Sequence, residues 1–232
     1  LRHSVCCYIK IQIMQKITVE VVSDVVCPWC YIGKRRLEKA IEELKGEYEF
    51  DVSYLPFELN PNMPKEGRNQ KEYLIEKFGG EDRYNQLTNN VAAVAAEEGL
   101  HFDYSQQKYS PNTRDAHRLI WLAKQEGVQA EVKEALLNAY FEKGIDLTKN
   151  ENLIDVVESA GLNRDKETAL LLSDEGLAEV KLQEQVSSQR GVSGVPFYIV
   201  NGKYGISGAQ PTSSFVSAFK DISEKSLTES DK

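Results

Sequence analysis

Hydrophobic and polar residues alternate in two short segments near the start of the chain. From Ile17 to Val21, β-branched apolar residues occupy every second position, and the same period of two recurs from Phe50 to Tyr54. Between these segments apolar residues follow the helical spacing i, i+3, i+4, i+7 at Leu37, Ala40, Ile41 and Leu44. This pattern predicts a strand, a helix and a second, parallel strand. We therefore expect a βαβ unit within residues 17–60.

The pattern changes to one helix after another from residue 61 to residue 189. Apolar residues at helical spacing mark these segments, for example Ala116, Leu119, Ile120 and Ala123. Strand-like sequence then returns in Pro196–Val200 and Lys203–Ser207, joined by Asn201-Gly202, which is a strong hairpin signal. A closing helix follows Pro211. We predict an α/β fold of order βαβ…ββα from 17–60 and 190–224, with 61–189 as an inserted all-helical subdomain.

The two ends of the chain lack this patterning. Met14-Gln15-Lys16, followed at once by the first strand, is typical of a natural start. We therefore expect residues 1–16 to be a non-native or disordered leader, and we assign Cys6 and Cys7 no function. The last residues are polar and lack an apolar stripe, so we expect 225–232 to form a frayed tail.

Composition and charge limit the partners. The 232 residues are 41% hydrophobic, and Asp and Glu exceed Lys and Arg to give a net charge of −8. A negative net charge opposes binding to nucleic acid and to anionic membranes. The sequence shows no apolar run long enough to span a bilayer and no signal-peptide pattern. We expect a cytoplasmic protein without a nucleic-acid or membrane partner.

The candidate chemistry lies in Cys27-Pro28-Trp29-Cys30, between the first strand and the first helix. One helical turn brings the two sulfurs within reach of a disulfide. Cys27 lies at the helix N-terminus, which favours a thiolate, so we predict that Cys27 is a solvent-accessible nucleophile and Cys30 the resolving residue. Pro28 fits the first helical turn. Trp29 offers an apolar surface to a substrate.

Two simpler explanations of the cysteine pair fit less well. A zinc site needs more ligands, but the chain has no second pair of this kind and its histidines are His3, His101 and His117. A structural disulfide closing so short a loop would stabilise little. A Cys-x-x-Cys pair in a βαβ setting indicates redox chemistry, and we expect no metal.

A second motif comes late in the chain, where Val195-Pro196 precedes the hairpin. Together with the cysteine motif and the helical insertion, it resembles the DsbA family of thioredoxin-fold thiol oxidoreductases, most closely the FrnE-like branch. Further residues support the resemblance: Ser23-Asp24, Tyr31-Ile32-Gly33, Asn112-Thr113, Ala116-His117 and Gly208-Ala209-Gln210-Pro211.

The resemblance implies a thioredoxin-like fold and a specific substrate site. It implies a cis bond between Val195 and Pro196, packed against Cys27 and Cys30, with the Val195 backbone binding substrate. Pro28 and Trp29 complete the expected substrate-binding residues. The implied activity is thiol–disulfide exchange on protein or small-molecule thiols and disulfides, with no bound cofactor and with glutathione as a candidate redox partner.

Four other residues are candidates for the border of an active-site groove: Asn112, Thr113, His117 and Gln210. The residues by themselves also have structural explanations. His117 belongs to an apolar helical stripe, which is typical of a packed, hydrogen-bonded histidine, and Asn112 or Thr113 can cap that helix. Asp24 can satisfy the loop backbone or accept a proton.

Two other functions are compatible with the same resemblance. Kappa-class glutathione transferases and 2-hydroxychromene-2-carboxylate isomerases share the core and the insertion, but they typically have serine where Cys27 stands. The intact cysteine pair argues against that branch. A non-catalytic peptide-binding holdase could use the groove beside Trp29 and Phe197.

Overall fold

The computed structural model describes residues 14–230, which form a mixed four-stranded sheet, a two-stranded sheet and a set of helices. The strands are β1 (Gln15–Ser23), β2 (Tyr48–Pro56), β3 (Arg68–Asn69), β4 (Tyr109–Ser110), β5 (Phe197–Val200) and β6 (Tyr204–Ser207). The helices are α1 (Pro28–Glu43), α2 (Gln70–Phe78), α3 (Glu81–Glu97), α4 (Arg114–Glu126), α5 (Gln129–Phe141), α6 (Asn150–Glu158), α7 (Arg164–Leu171), α8 (Leu177–Gln189) and α9 (Thr212–Ser230).

The four-stranded sheet has the order β2-β1-β5-β6. β1 runs parallel to β2 and antiparallel to β5, and β5 is antiparallel to β6. Asn201 and Gly202 have φ values of 50° and 67°, which the tight turn between β5 and β6 requires. The predicted α/β fold of order βαβ…ββα is confirmed.

Apolar residues from the sheet and from the insertion share one hydrophobic core. α1 contacts α9, and α9 contacts β1, while α4, α5 and α8 of the insertion contact β2. Ile17, Val19, Leu37 and Leu44 are fully or almost fully buried. The insertion is therefore packed onto the sheet, and it reaches the end of α1 where the cysteines lie.

The predictions for the leader and for the insertion are corrected. β1 begins at Gln15, because Gln15 and Lys16 pair with Tyr48 and Glu49 of β2. Of the predicted leader, residues 1–13, with Cys6 and Cys7, lie outside the described residues. The insertion is not all helical, because β3 and β4 pair antiparallel within it. These strands have two residues each, too short for a period-two pattern to identify them.

The predicted tail is wrong for residues 225–230. Helix α9 continues to Ser230 because its apolar stripe runs one turn beyond Phe219 to Ile222, which is buried. Ser223 is also buried, and its hydroxyl bonds to the side chain of Gln15. This contact joins the last helix to the first strand. Residues 231–232 lie outside the described part of the chain.

Candidate active site

The two cysteines lie at the N-terminus of α1, just after the loop that leaves β1. Cys27 is the N-cap residue, with extended backbone angles of φ −91° and ψ 112°, and Pro28 is the first helical residue. Proline fits this position because its missing N–H would have no helical acceptor. The N–H of Cys30 donates to the Cys27 carbonyl at 3.0 Å. Cys27 therefore lies where the unpaired N–H groups of the helix converge.

Both thiols are free and both are buried. Cys27 is 4% exposed and Cys30 is 3% exposed. The Cys27 thiol donates to the carbonyl oxygen of Val195 at 3.8 Å. The expectation that Cys27 is open to solvent is therefore wrong, because Val195 and the helical insertion close over this end of α1.

The environment of Cys30 favours its neutral thiol. Burial raises the pKa of Cys30 well above its ordinary value, and the hydrogen bond to Cys27 acts in the same direction. The positive charge of Lys133 opposes this change. Burial therefore holds Cys30 in its thiol form.

Lys133 is a component of the site that the sequence analysis missed. It lies on α5 and is 1% exposed. Burial lowers the pKa of Lys133, whereas the negative charges that Cys30 and Asp24 can carry act to raise it. Lysine on an amphipathic helix is normally solvated, so no local pattern could have identified this one.

The buried carboxylate of Asp24 anchors the loop before the cysteine pair. Its Oδ1 accepts from the N–H of Val25 at 2.7 Å, and its Oδ2 accepts from the N–H of Leu59 at 2.8 Å. Nε2 of buried His117 lies 3.3 Å from Asp24 Oδ1 and 3.1 Å from the Phe57 carbonyl. Because a carbonyl can only accept, we assign the proton to Nε2. Burial acts to raise the pKa of Asp24, but the bonds from His117 and Leu59 hold it below its ordinary value.

A cavity of about 350 Å³ lies between the cysteine end of α1 and the insertion. Four residues that the sequence analysis singled out form one side of it: Cys27, Pro28, Trp29 and Val195. The insertion supplies the other side with mainly aromatic and aliphatic side chains, among them Tyr73, Phe78, Leu87, Val91, Tyr104 and Tyr140. Trp29 is 40% exposed. This volume is within the range that small organic ligands occupy in proteins.

The four candidate groove residues do not all meet at this cavity. Thr113 lines it, whereas Asn112, His117 and Gln210 do not. The Asn112 side-chain amide donates to the Met63 carbonyl at 2.7 Å and accepts from the N–H of Arg114 at 3.0 Å, so it fixes the start of α4. His117 bonds to Asp24, as described above. The Gln210 side chain donates to the Ser207 carbonyl at 2.8 Å on the surface. These three side chains are held by their own hydrogen bonds and do not line the cavity.

Pro196 lies behind the cysteine motif, where α1 approaches β5. The Val195–Pro196 peptide bond is cis. Gly33 of α1 faces this segment, and a Cβ at Gly33 would overlap the hydroxyl of Tyr198 and lie 3.3 Å from Pro196 Cγ. The missing side chain of Gly33 therefore allows α1 to pack directly against the Pro196 loop.

Residues 14–230 contain no cluster of metal ligands and no helix suited to cross a membrane. No group of three or more His, Cys, Asp or Glu side chains there is placed to hold a metal ion. None of the helices between those residues combines the length and apolar character that crossing a bilayer requires.

Solved structures that resemble this chain include thiol oxidoreductases. A probable DsbA oxidoreductase from Streptomyces coelicolor is 32% identical, with a TM-score of 0.83 over 88% of this chain and 89% of that one. A 2-hydroxychromene-2-carboxylate isomerase is 18% identical, with a TM-score of 0.67 over 91% and 98% of the two chains. The cytosolic disulfide reductase DsbM from Pseudomonas aeruginosa, solved with GSH, is 14% identical, with a TM-score of 0.62 over 91% and 99%. The last two likenesses show the fold alone.

The family comparison covers most of the chain. The family model for the DSBA-like thioredoxin domain matches residues 18–220, from β1 into the first half of α9. The match includes both cysteines of the motif, the whole insertion and the Val195–Pro196 segment. The chain therefore belongs to the DSBA-like thioredoxin domain family.

Proposed function

We propose that the protein is a thiol–disulfide oxidoreductase in which Cys27 attacks the substrate and Cys30 resolves the mixed disulfide. The observation that carries this assignment is an asymmetry between the two cysteines. Cys27 lines the cavity and Cys30 does not, while burial holds Cys30 as a thiol. A substrate sulfur in the cavity therefore meets Cys27 first.

The proposed reaction has two exchange steps. The Cys27 thiolate attacks one sulfur of a substrate disulfide, a mixed disulfide forms, and the other substrate sulfur leaves as a thiolate that takes up a proton. Cys30 then loses its proton and attacks the Cys27 sulfur, which releases the second substrate thiol and leaves a Cys27–Cys30 disulfide. Two electrons pass from the protein to the substrate. Two glutathione molecules can restore the dithiol by forming glutathione disulfide.

Other residues of the site are assigned roles in binding. Cys27 is assigned the attack because it precedes the first turn of α1, at the positive end of the helix. Val195 and Pro196 are proposed to shape the substrate site, since the Val195 carbonyl already contacts the Cys27 thiol. Pro28 and Trp29 are proposed to contact substrate because both line the cavity.

The branch and the compartment are part of the same proposal. We place the chain in the FrnE-like branch on the strength of the motif residues around Cys27 and Pro211. We place the reaction in a reducing, cytoplasmic compartment, since DsbM is described as a cytosolic disulfide reductase. Detection of an oxidised Cys27–Cys30 pair at steady state in cells would contradict the reducing compartment.

The central test is a trapping experiment with hydroxyethyl disulfide. Cys30→Ser should accumulate a mixed disulfide at Cys27, visible by intact-protein mass spectrometry, because the resolving attack is absent. Cys27→Ser is the matched control and should accumulate none. Glutathione-coupled turnover of hydroxyethyl disulfide should fall at least about 100-fold in Cys27→Ser, which lacks the attacking sulfur. Equal trapping by the two variants would show that the roles are misassigned.

The two alternative functions predict different results. A glutathione transferase or isomerase would retain activity in Cys27→Ser, because serine stands at that position in those enzymes. A holdase would suppress aggregation equally well with and without Cys27. Either result, combined with no disulfide turnover by the unmodified protein, would replace the oxidoreductase assignment.

A further inference from the structure

Two buried amide side chains form a polar spot in the wall of the cavity beside Cys27. Gln70 is 1% exposed and Gln107 is 5% exposed, and both line the cavity. The Gln70 amide nitrogen donates to the Gln107 amide oxygen at 3.3 Å. The pairing of β3 with β4 sets them side by side, since Gln70 follows β3 and Gln107 precedes β4.

Each of these amides has one group without a partner. Within residues 14–230, the oxygen Oε1 of Gln70 and the nitrogen Nε2 of Gln107 have no hydrogen-bond partner. Rotating both amides by half a turn would exchange the two roles, but it would still leave one acceptor and one donor unpaired. Buried polar groups are normally satisfied, so a free donor and a free acceptor on two adjacent side chains that line a cavity indicate a ligand that supplies both partners.

The rest of the cavity selects against charged ligands. Its walls are mainly aromatic and aliphatic, and two charged residues line it, Asp24 and Lys77. The Asp24 carboxylate is already engaged by Val25, Leu59 and His117. Lys77 is exposed and lies over the ring of Tyr73. A ligand carboxylate or ammonium deep in this cavity would therefore lack an opposite charge.

We propose that the cavity binds an apolar small-molecule thiol or disulfide that carries a secondary amide. The ligand carbonyl accepts from one glutamine, its N–H donates to the other, and its sulfur reaches Cys27. The inference rests on the proposed oxidoreductase function and names its substrate class. Glutathione, with two carboxylates and an ammonium group, fits this cavity poorly, so it acts as the reductant and not as the cavity ligand.

The test compares two isosteric disulfides on the Cys30→Ser protein. The probes are the symmetric disulfide of N-mercaptoethyl benzamide and the symmetric disulfide of mercaptoethyl benzoate, an ester that lacks the N–H. The rate of mixed-disulfide formation at Cys27 is measured by intact-protein mass spectrometry. The amide should react about tenfold faster than the ester, because the ester leaves one buried glutamine group unpaired. A ratio near one would overturn the proposal without any need for a further variant.

Substitution of the glutamines provides the second arm. In Cys30→Ser protein that also carries Gln70→Leu and Gln107→Leu, the amide-to-ester ratio should fall to about one. Gln125→Leu, at an exposed position on α4, is the matched control and should keep the tenfold ratio. A ratio that survives the double substitution would overturn the proposal.

Two further arms separate this inference from its alternatives. If hydroxyethyl disulfide also fails to modify Cys27 in the Cys30→Ser protein, the proposed function itself has failed. The last arm uses a peptide that carries the same thiol as a disulfide. If this peptide reacts faster than the benzamide disulfide, and loses that advantage when Gln70 and Gln107 are replaced, the ligand amide belongs to a polypeptide. That result would overturn the small-molecule assignment.

Discussion

At the scale of single residues, the pKa of Cys30 responds to a positive charge that the insertion supplies. Cys30 and Lys133 are both almost fully buried, on α1 and α5 respectively. The positive charge of Lys133 opposes the increase that burial causes in the pKa of Cys30. If Cys30 is the resolving residue, we expect the charge of Lys133 to help it reach the thiolate form.

Lys133→Met tests this role because it removes the charge and keeps a long apolar side chain. The pKa of Cys30 should rise further, and the mixed disulfide at Cys27 should resolve about tenfold more slowly at neutral pH. The rate at which the mixed disulfide disappears is measured by mass spectrometry of acid-quenched samples. The pKa of Cys30 is measured from thiolate absorbance in a Cys27→Ser background. Lys124→Met, at an exposed position on α4, is the control. Unchanged decay in Lys133→Met would contradict the role.

At the scale of elements, the position of α1 depends on one glycine. Gly33 is buried, and a Cβ there would overlap the Tyr198 hydroxyl of β5. That hydroxyl has no hydrogen-bond partner within residues 14–230. The contact between α1 and β5 is therefore steric, and it fixes the distance from the cysteine motif to the Pro196 loop.

Gly33→Ala should destabilise the protein by about 1–3 kcal/mol, because the extra methyl group has no space. Tyr198→Phe alone should be close to neutral, and in that background the cost of Gly33→Ala should fall by about 1 kcal/mol or more. Urea denaturation of the four proteins measures the coupling. Gly194→Ala, where a Cβ would meet nothing within 4 Å, is the control for the glycine-to-alanine change. Additive effects of Gly33→Ala and Tyr198→Phe would show that the overlap does not limit packing.

At the scale of the whole molecule, a buried carboxyl makes stability depend on pH. Glu167 of α7 is fully buried, and neither carboxyl oxygen has a partner within residues 14–230. Burial, together with the negative charge of Glu158, raises the pKa of Glu167 to about 7. The pKa of Glu167 is higher in the folded protein than its unfolded value of 4.5. This group therefore stabilises the folded state fully below pH 4.5, and that stabilisation is lost as the pH rises through about 7.

Glu167→Gln should remove this part of the pH dependence. Near pH 5 the variant and the unmodified protein should have similar free energies of unfolding. Near pH 8 the free energy of unfolding of the variant should be higher by about 1–2 kcal/mol. Urea denaturation at both pH values measures the difference, and Glu179→Gln, at an exposed position on α8, is the control. A variant that is less stable than the unmodified protein at pH 8 would contradict the interpretation.

The local features of this protein follow from its sequence. The period of two in β1, the helical stripe of α1, the Asn201-Gly202 turn and the position of Cys27 all depend on residues close together in the chain. Local backbone preference and the burial of one face determine such elements. The order βαβ…ββα followed from them, because parallel strands need a crossover and Asn-Gly joins a hairpin.

The site depends on contacts between distant residues, which no local pattern encodes. Three hydrogen-bonded pairs of the site are far apart in the sequence. The separation is 168 residues for Cys27 and Val195, 93 for His117 and Asp24, and 37 for Gln70 and Gln107. Burial of Cys27, the charge of Lys133 beside Cys30 and the cavity itself arise only when the insertion packs against the end of α1. The sequence located the cysteine motif and the Val195-Pro196 segment, whereas the tertiary structure decided what surrounds them, because burial and electrostatic fields are properties of the packed chain.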